Sequence, residues 1–424
     1  MKEISLASDN IDPNQLEIQL RTWLESLPTL PKKVLLLPPD FTRYHSKAGL
    51  IVQLLYRMLT PGCRVEIMPA LGTHVPMSDS EKQRMFGAEI PADRFFAHDW
   101  RNDIVKIGEV PADFVAKVSE GLVKYPISVE INKRLLNPSY DLILSIGQVV
   151  PHEVVGMANY NKNVFVGCGG KDMINRSHFL GAAYGMERMM GRADTPVRQV
   201  FNYAEDKFLG KLPLQYILTV TTTSKGVTSL NGLFIGRNYR LFKEAAQLSQ
   251  VKNLDLLARP LKKVLVYLDP EEFKSTWLGN KAIYRTRMAI ADQGELIILA
   301  PGVKQFGEDP TIDTLIRKYG YVGSERVLQL AAEEPDLQNN LSAAAHLIHG
   351  SSEGRFNITY AAGGLTGAEV EKANFKYWPY QEVIQKYNPE KLENGFNTLK
   401  DGEEIFYISN PALGLWALKE KFVH

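Results

Sequence analysis

The chain has 424 residues, more than one hydrophobic core ordinarily serves, so we expect two or three domains. Hydrophobic residues make up 45% of the sequence and charged residues 23%, as in a globular protein, and a formal net charge of +1 gives no broad field for nucleic acid or a membrane surface. Only two cysteines are present, which argues against a disulfide framework, and without a signal-peptide pattern or a bilayer-length apolar run we expect a cytoplasmic protein.

Short apolar runs bounded by turn residues predict buried strands, and amphipathic segments between them predict helices. The predicted strands are residues 34–37, 65–68, 142–146, 164–166, 216–220, 264–268, 296–300, 356–361 and 405–408. The clearest predicted helices are residues 48–58, 241–248 and 309–319. Strands that alternate with helices indicate an α/β protein with largely parallel sheets.

A domain boundary is predicted near residues 258–263, where a helical pattern ends and Pro260 precedes a new strand. We therefore predict two α/β domains, residues 1–260 and residues 261–424, with the last helix as a candidate to pack back on the first domain. A cleft between two such domains is the expected place for a ligand site.

Polar residues follow several predicted strands, where ligands of α/β proteins usually bind. Asp40 and Arg43 follow the first of these strands, His74 follows the second, and His152 follows the strand at 142–146. A neutral imidazole can accept and return a proton near pH 7, so two such histidines suit an enzyme that handles both mirror images of a substrate. The alternatives are structural histidines and a simple loop ion pair between Asp40 and Arg43.

Two other patterns admit more than one interpretation. The stretch from Gly167 to Lys171 suggests a phosphate-binding loop, but the required glycine spacing and following Ser or Thr are missing, so a tight turn is preferred. His74, His152 and His178 could together bind zinc, although their spacing is wide and irregular.

Three motifs in chain order carry a resemblance to a known family. They are Asp40-Phe41-Thr42-Arg43, then Gly72-Thr73-His74-Val75-Pro76, then Pro151-His152 with Lys162 ten residues after that histidine, Gly167, and His178 sixteen residues beyond the lysine. With these motifs the chain resembles the lactate racemase family, whose members use a nickel-pincer nucleotide. The resemblance extends over nearly the whole chain.

The resemblance implies a role for each matching residue in residues 1–260. Lys162 would hold the nucleotide through a thioamide bond, and His178 would be the protein ligand to nickel. Asp40 and Arg43 would help to bind the cofactor, with Arg43 also a candidate substrate contact. Residues 261–424 would then close the cleft over this site.

The resemblance also implies a reaction in which a hydride leaves C2 of a 2-hydroxy acid and returns to either face. His74 and His152 would be the acid/base pair on opposite faces of the substrate. A planar 2-keto acid would be formed between the two hydride transfers, and its reduction from the other face would invert C2.

The chain departs from the family pattern before Lys162. Family members often carry a glycine-rich stretch there, whereas this chain has Met157-Ala158-Asn159-Tyr160-Asn161. Its glycines come later, beside Lys171, which makes Lys171 a rival attachment point. The spacing to His152 and His178 favours Lys162.

A second departure concerns the substrate. Racemases that act on lactate tend to show Tyr-Gln followed by a lysine, where this chain has Tyr284 and Arg285, then Arg287 and Met288. The extra arginines favour a substrate more polar than lactate, such as the sugar acid gluconate or a malate-like acid. Alternatively these arginines face solvent, and Trp378, a candidate wall of the site, belongs to a core.

The preferred hypothesis is thus an isomerase, a nickel-dependent racemase or epimerase of a small 2-hydroxy acid, with neither nucleic acid nor a membrane as partner. Three alternatives stay open: lactate racemase proper, a zinc hydrolase built on the three histidines, and a non-catalytic relative without cofactor.

Overall fold

The computed structural model describes residues 1–224 and 227–422 and divides into two compact units. The first unit contains Met1–Leu180 and Met189–Asn253, and the second contains Gly181–Arg188 and Leu254–His424. Each unit contains a six-stranded sheet in which most neighbouring strands are parallel, so the predicted α/β class is confirmed. Among the described residues, no helix has the length and apolar character needed to cross a membrane.

The first unit is built on a mixed sheet with the strand order β1-β10-β9-β6-β2-β3. Its strands are β1 Ile4–Ala7, β2 Lys33–Leu37, β3 Arg64–Ile67, β4 Ile104–Val110, β5 Ile127–Asn132, β6 Leu142–Gln148, β7 Pro151–His152, β8 Gly156–Met157, β9 Leu214–Ser224 and β10 Val227–Gly236. Its helices are α1 Pro13–Glu25, α2 Ala48–Leu59, α3 Asp79–Phe86, α4 Ala112–Val118, α5 Lys171–Tyr184, α6 Met186–Met189, α7 Pro196–Phe208 and α8 Tyr239–Asn253, of which α5 and α6 extend into the second unit.

The central strands of this sheet are apolar because both of their faces are covered. All four residues from Val34 to Leu37 in β2 are buried, as are Leu142 to Ile146 in β6. Strands β3, β2, β6 and β9 are parallel, so their carboxyl ends lie at one edge of the sheet. The predicted strands at 34–37, 65–68, 142–146 and 216–220 and the helices at 48–58 and 241–248 are confirmed.

The predicted strand at 164–166 is wrong, because residues Asn163–Gly167 form a π-helical turn. A short, fully buried apolar run does not distinguish a strand from a helical turn by its periodicity. The side-chain amide of Asn163 decides the outcome, since it donates hydrogen bonds to the carbonyl of Leu37 at 2.9 Å and to the hydroxyl of Ser145 at 3.0 Å. Such turns are rare and often occur at functional sites.

The second unit is built on a sheet with the strand order β15-β14-β13-β12-β17-β16, in which only the β16–β17 pair is antiparallel. Its strands are β11 Asp255–Leu257, β12 Leu261–Tyr267, β13 Ile290–Ala300, β14 Asn357–Ala362, β15 Lys376–Tyr377, β16 Gly395–Thr398, β17 Glu404–Ile408 and β18 Trp416–Leu418. Its helices are α9 Thr276–Gly279, α10 Lys281–Thr286, α11 Pro310–Tyr319, α12 Ser324–Glu333, α13 Pro335–Gln338, α14 Leu341–His349, α15 Gly367–Lys372 and α16 Tyr380–Lys386. The strands predicted at 264–268, 296–300, 356–361 and 405–408 and the helix at 309–319 are confirmed.

One carboxylate of the second unit, that of Glu187, is shared by three cations. Its oxygens lie 3.2 Å from Arg287, 2.6 Å from Arg355 and 2.9 Å from Lys421. Burial acts to raise the pKa of Glu187, but the hydrogen bond from Lys421 and the charges of Arg287 and Arg355 lower it below the ordinary value of 4.5. Glu187 is therefore charged at neutral pH and compensates the buried guanidinium of Arg287.

We expect Glu187→Gln to lower the free energy of unfolding by about 2 kcal/mol at pH 7, because Arg287 would stay buried without its counter-charge. Since the pKa of Glu187 is lowered on folding, its contribution is complete above pH 4.5 and is lost as the pH falls through the folded value. Urea unfolding at pH 7 and at pH 4 measures both effects, with the exposed Glu382→Gln as control. Equal unfolding energies for the two variants at pH 7 would contradict the role of Glu187.

Candidate functional site

A carboxylate and a histidine are joined at the carboxyl ends of β2 and β3. Asp40 begins a short 3-10 helix, and one of its oxygens accepts hydrogen bonds from the backbone N–H of Thr42 at 3.1 Å and from its hydroxyl at 2.5 Å. The other oxygen lies 2.5 Å from Nδ1 of His74. Burial acts to raise the pKa of Asp40, but the hydrogen bonds from His74 and Thr42 lower it below its ordinary value.

This contact determines which nitrogen of His74 can react. An ionised carboxylate only accepts hydrogen bonds, so Nδ1 of His74 carries the proton and Nε2 keeps its lone pair. The side chain of His74 is 56% exposed, so Nε2 is accessible to a substrate. Asp40, which the sequence left without a separate role, therefore orients His74.

The loop that carries His74 is fastened to the π-helical turn. The N–H of Gly72, which has a φ of 58°, donates to the carbonyl of Gly167 at 2.8 Å. A Cβ at Gly167 would lie 2.7 Å from the Cβ of Ala70, and one at Gly169 would lie 1.8 Å from the carbonyl oxygen of Phe165. Close packing therefore explains why glycines stand at these positions. It supports the tight turn rather than the phosphate-binding loop.

His152 lies in the β7–β8 hairpin and is 9% exposed. Its Nδ1 accepts a hydrogen bond from the backbone N–H of Val154 at 3.1 Å, so the neutral ring carries its proton on Nε2. Burial lowers the pKa of His152 well below its ordinary value, and the charges of Lys162 and Arg43 lower it further, against the charge of Glu153. His152 is therefore neutral and presents an N–H donor, the opposite tautomer to His74.

Lys162 immediately precedes the π-helical turn and is only partly exposed. Burial lowers its pKa to about 8, with a further contribution from the charge of Arg43. A sizeable fraction of its amine is thus neutral near pH 7.5, and only the neutral amine is a nucleophile. Lys171, the rival attachment point, is exposed at the start of α5.

The orientation of the His178 ring is set by a hydrogen bond within α5. Its Nδ1 lies 2.6 Å from the carbonyl oxygen of Ile174, so Nδ1 carries the proton and Nε2 keeps its lone pair. Burial lowers the pKa of His178 to about 4, and the charge of Lys162 lowers it further. A neutral histidine whose other nitrogen donates to a carbonyl is the usual form of a metal ligand.

Several of these groups lie near one another in the first unit, so the charge of one acts on the pKa of another. Lys162, Arg43 and His178 each lower the pKa of His152, and Lys162 also lowers that of His178. Sequence reasoning missed Glu153, whose carboxylate lies 3.9 Å from Nδ1 of His152 and acts to raise the pKa of His152, Lys162 and His178. The only sequence signal for Glu153 was its position next to His152.

The three histidines do not form a zinc site. Among residues 1–224 and 227–422, no group of three or more His, Cys, Asp or Glu side chains is placed to hold a metal ion. The Nδ1 atom of each histidine already has a hydrogen-bond partner. The partner is the carboxylate of Asp40 for His74, the N–H of Val154 for His152 and the carbonyl of Ile174 for His178. The zinc hydrolase hypothesis therefore lacks its ligand set, whereas His178 can still serve as a single protein ligand.

Comparison with known proteins identifies a domain that contains these residues. Residues 21–189 match the model of the lactate racemase N-terminal domain, a span that includes Asp40, Arg43, His74, His152, Lys162 and His178. The chain contains a lactate racemase N-terminal domain. The presence of this domain indicates a racemase-type function. No curated protein sequence matches the chain.

Two solved structures share the fold over nearly the whole chain. A protein from Thermotoga maritima is 25% identical, with a TM-score of 0.81, and the match covers 98% of this chain and 100% of the other. The lactate racemase apoprotein from Thermoanaerobacterium thermosaccharolyticum is 16% identical, with a TM-score of 0.70, and the match covers 98% and 95%. The family model ends at residue 189 and therefore does not include Tyr284, Arg285, Arg287 or Trp378.

The arginines predicted to contact the substrate differ in their surroundings in the second unit. Arg287 is 5% exposed and bonded to Glu187 and to the carbonyl of Ser351, so the alternative that both arginines face solvent is wrong for Arg287. Arg285 is half-buried, and its Nε is buried without a hydrogen-bond partner among the described residues. Tyr284 is buried, with its ring centroid 6.4 Å from that of His349.

The remaining candidates of the second unit lie against its core. Trp378 is half-buried, packs on the hydrophobic cluster that contains Leu265 and Tyr407, and meets the ring of Tyr387 edge-on at 6.1 Å. Met288 is 1% exposed. Trp378 therefore packs against the core of the second unit, and its contact with substrate stays a prediction.

Proposed function

We propose that the protein inverts the C2 centre of a 2-hydroxy acid with the help of a nickel-pincer nucleotide. The observation that carries this proposal is the combination, in one site, of a lysine whose pKa is about 8 with a histidine whose Nε2 is free for a metal. Two further histidines with complementary tautomers lie in the same unit of this racemase-family chain.

The residues present fit that cofactor. The partly neutral amine of Lys162 can form a covalent bond to it, and Nε2 of His178 can bind nickel. Arg43 is exposed and offers a forked donor for a phosphate or a carboxylate. When bound, the cofactor supplies an electron-poor pyridinium ring that accepts a hydride and returns it.

Hydride chemistry suits this substrate class because the C2 hydrogen of a hydroxy acid is a poor acid. Removing it as a proton beside a carboxylate would create a dianion. When it leaves as a hydride, the hydroxyl proton leaves as well, and the O–H bonding electrons form the C=O bond of a neutral keto group. The protein then has to move only one proton, between the substrate oxygen and a histidine.

The two histidines would enter this reaction in different forms. Nε2 of His74 can accept the hydroxyl proton at once, and the carboxylate of Asp40 stabilises the imidazolium that results. Nε2 of His152 instead donates a hydrogen bond to the substrate oxygen. His152 can take the hydroxyl proton of a substrate on its side only after its own ring proton has moved from Nε2 to Nδ1.

The first test is the attachment point of the cofactor. In protein made by a host that synthesises the nucleotide, Lys162→Ala should remove the adduct from the intact mass, because the neutral amine is the nucleophile. The matched control Lys171→Ala, which changes an exposed lysine, should keep the adduct. An adduct that persists in Lys162→Ala and disappears in Lys171→Ala would assign the role to Lys171.

The second test addresses proton transfer. His74→Ala and His152→Ala should each slow inversion by at least about 100-fold, the low end for a positioned acid or base. The exposed His45→Ala serves as control, and adduct mass is measured in every sample so that poor loading is not mistaken for slow chemistry. Chiral analysis follows both directions. Near-normal inversion by either variant in both directions would remove that histidine from the mechanism.

The third test addresses the substrate. An unpaired buried guanidinium donor costs about 1–3 kcal/mol, so we propose that Arg285 binds a polar tail that lactate lacks. Loaded enzyme should invert malate or gluconate better than lactate, and Arg285→Gln should reduce that preference. Arg287→Gln should lower stability instead, since Arg287 is bonded to Glu187. Highest activity on lactate would contradict a polar tail and favour lactate racemase proper.

A further inference from the structure

The segment that leads to Lys162 has an unusual backbone. Asn159 has a φ of 65° and Tyr160 a φ of 58°, so two consecutive residues other than glycine are left-handed. This conformation is unfavourable for a residue with a Cβ, more so for tyrosine than for asparagine, and persists only where surrounding contacts hold it. Neither Asn159 nor Tyr160 has the conformational freedom of glycine, so contacts from other parts of the chain must hold this segment.

Arg198 in α7 supplies three of the required contacts. Its side chain is fully buried, and its guanidinium donates to the carbonyl of Met157 at 2.7 Å, to the carbonyl of Asn159 at 3.1 Å and to the side-chain oxygen of Asn161. The guanidinium also lies 4.2 Å from the ring centroid of Phe242. A planar fork can bind three acceptors at once, which an ammonium group on a flexible stem does poorly.

Two more residues on the same face of α7 continue this contact. Asn202 and Glu205 follow Arg198 at helical spacing, and the side-chain amide of Asn161 donates to them at 2.7 Å and 3.1 Å. The hydroxyl of Tyr160 donates to the backbone carbonyl of Arg237 at 2.7 Å. These contacts hold four of the five positions that precede Lys162, and at the fifth the N–H of Ala158 donates to the carbonyl of Val150 at 2.8 Å.

We infer that Arg198 is a positioning residue that holds the left-handed segment 157–161 so that Lys162 can receive the cofactor. This inference rests on the proposed attachment at Lys162. Without the guanidinium, three acceptors would be left without their donor and Tyr160 would relax toward a common backbone conformation, which would redirect the chain two residues before Lys162. The charge of Arg198 also helps to lower the pKa of Lys162.

The test compares Arg198→Lys, which keeps the charge but not the fork, with the neighbouring Gln199→Ala, which changes an exposed residue of the same helix. Hydrogen exchange of apo-protein should be at least about tenfold faster in residues 157–163 of Arg198→Lys only, with β6 unchanged. In a cofactor-producing host, the adduct on Lys162 should fall several-fold. Unchanged exchange at 157–163, or an equal increase throughout the unit, would overturn the inference.

A second variant covers the case in which Arg198→Lys does not fold. Asn161→Ala removes the bonds to Arg198, Asn202 and Glu205 but leaves both carbonyl contacts of Arg198. It should produce the same local increase in exchange to a smaller degree, and wild-type exchange would overturn the inference. Because exchange is measured without cofactor, it tests the role of Arg198 even if wild-type protein carries no adduct on Lys162, a result that would count against the proposed function instead.

Discussion

The side-chain amide of Asn163 is hydrogen-bonded to two strands that lead to residues of the site. It joins the turn after Lys162 to the end of β2 through Leu37 and to β6 through Ser145. β2 leads directly to Asp40, and β6 leads to the hairpin of His152, so one buried amide connects three segments of the site. The parallel sheet provides a common edge, and this contact sets the position of Lys162 relative to it.

The chemistry of the three histidines depends on the partner of each Nδ1. A carboxylate and a carbonyl accept the protons of His74 and His178, which leaves a lone pair on Nε2 of each. A backbone N–H donates to His152 and places its proton on Nε2. Residues of one type therefore differ at Nε2, which keeps a lone pair in His74 and His178 and carries a proton in His152, and each form follows from a local hydrogen bond.

In the segment before Lys162, side-chain contacts stabilise a backbone conformation that glycine would adopt without such support. Glycine reaches left-handed conformations at little cost, whereas Asn159 and Tyr160 need external support. In this chain a polar face of α7, formed by Arg198, Asn202 and Glu205, is hydrogen-bonded to segment 157–161. The buried charge of Arg198 is tolerated because backbone carbonyls and an amide oxygen surround it.

The α/β class, most of the strands and the candidate site residues of the first unit could be predicted from the amino-acid sequence. Buried parallel strands such as 34–37 and 142–146 are visible in the sequence as continuous apolar runs. His152, Lys162 and His178 lie within one short segment, so their spacing is also visible in the sequence. Local patterns were sufficient for these features, because neighbours in sequence carry the signal.

Features that depend on partners distant in the sequence became apparent only in the folded chain. The run at 164–166 forms a π-helical turn because Asn163 contacts two strands, and Arg287 is buried because Glu187 pairs with it from 100 residues away. The tautomer of His74 depends on Asp40, 34 residues before it, and Arg198 reaches the segment before Lys162 from a separate helix. A hydrogen bond or ion pair between such residues produces no periodic pattern in the sequence. The two partners can therefore be identified only in the folded chain.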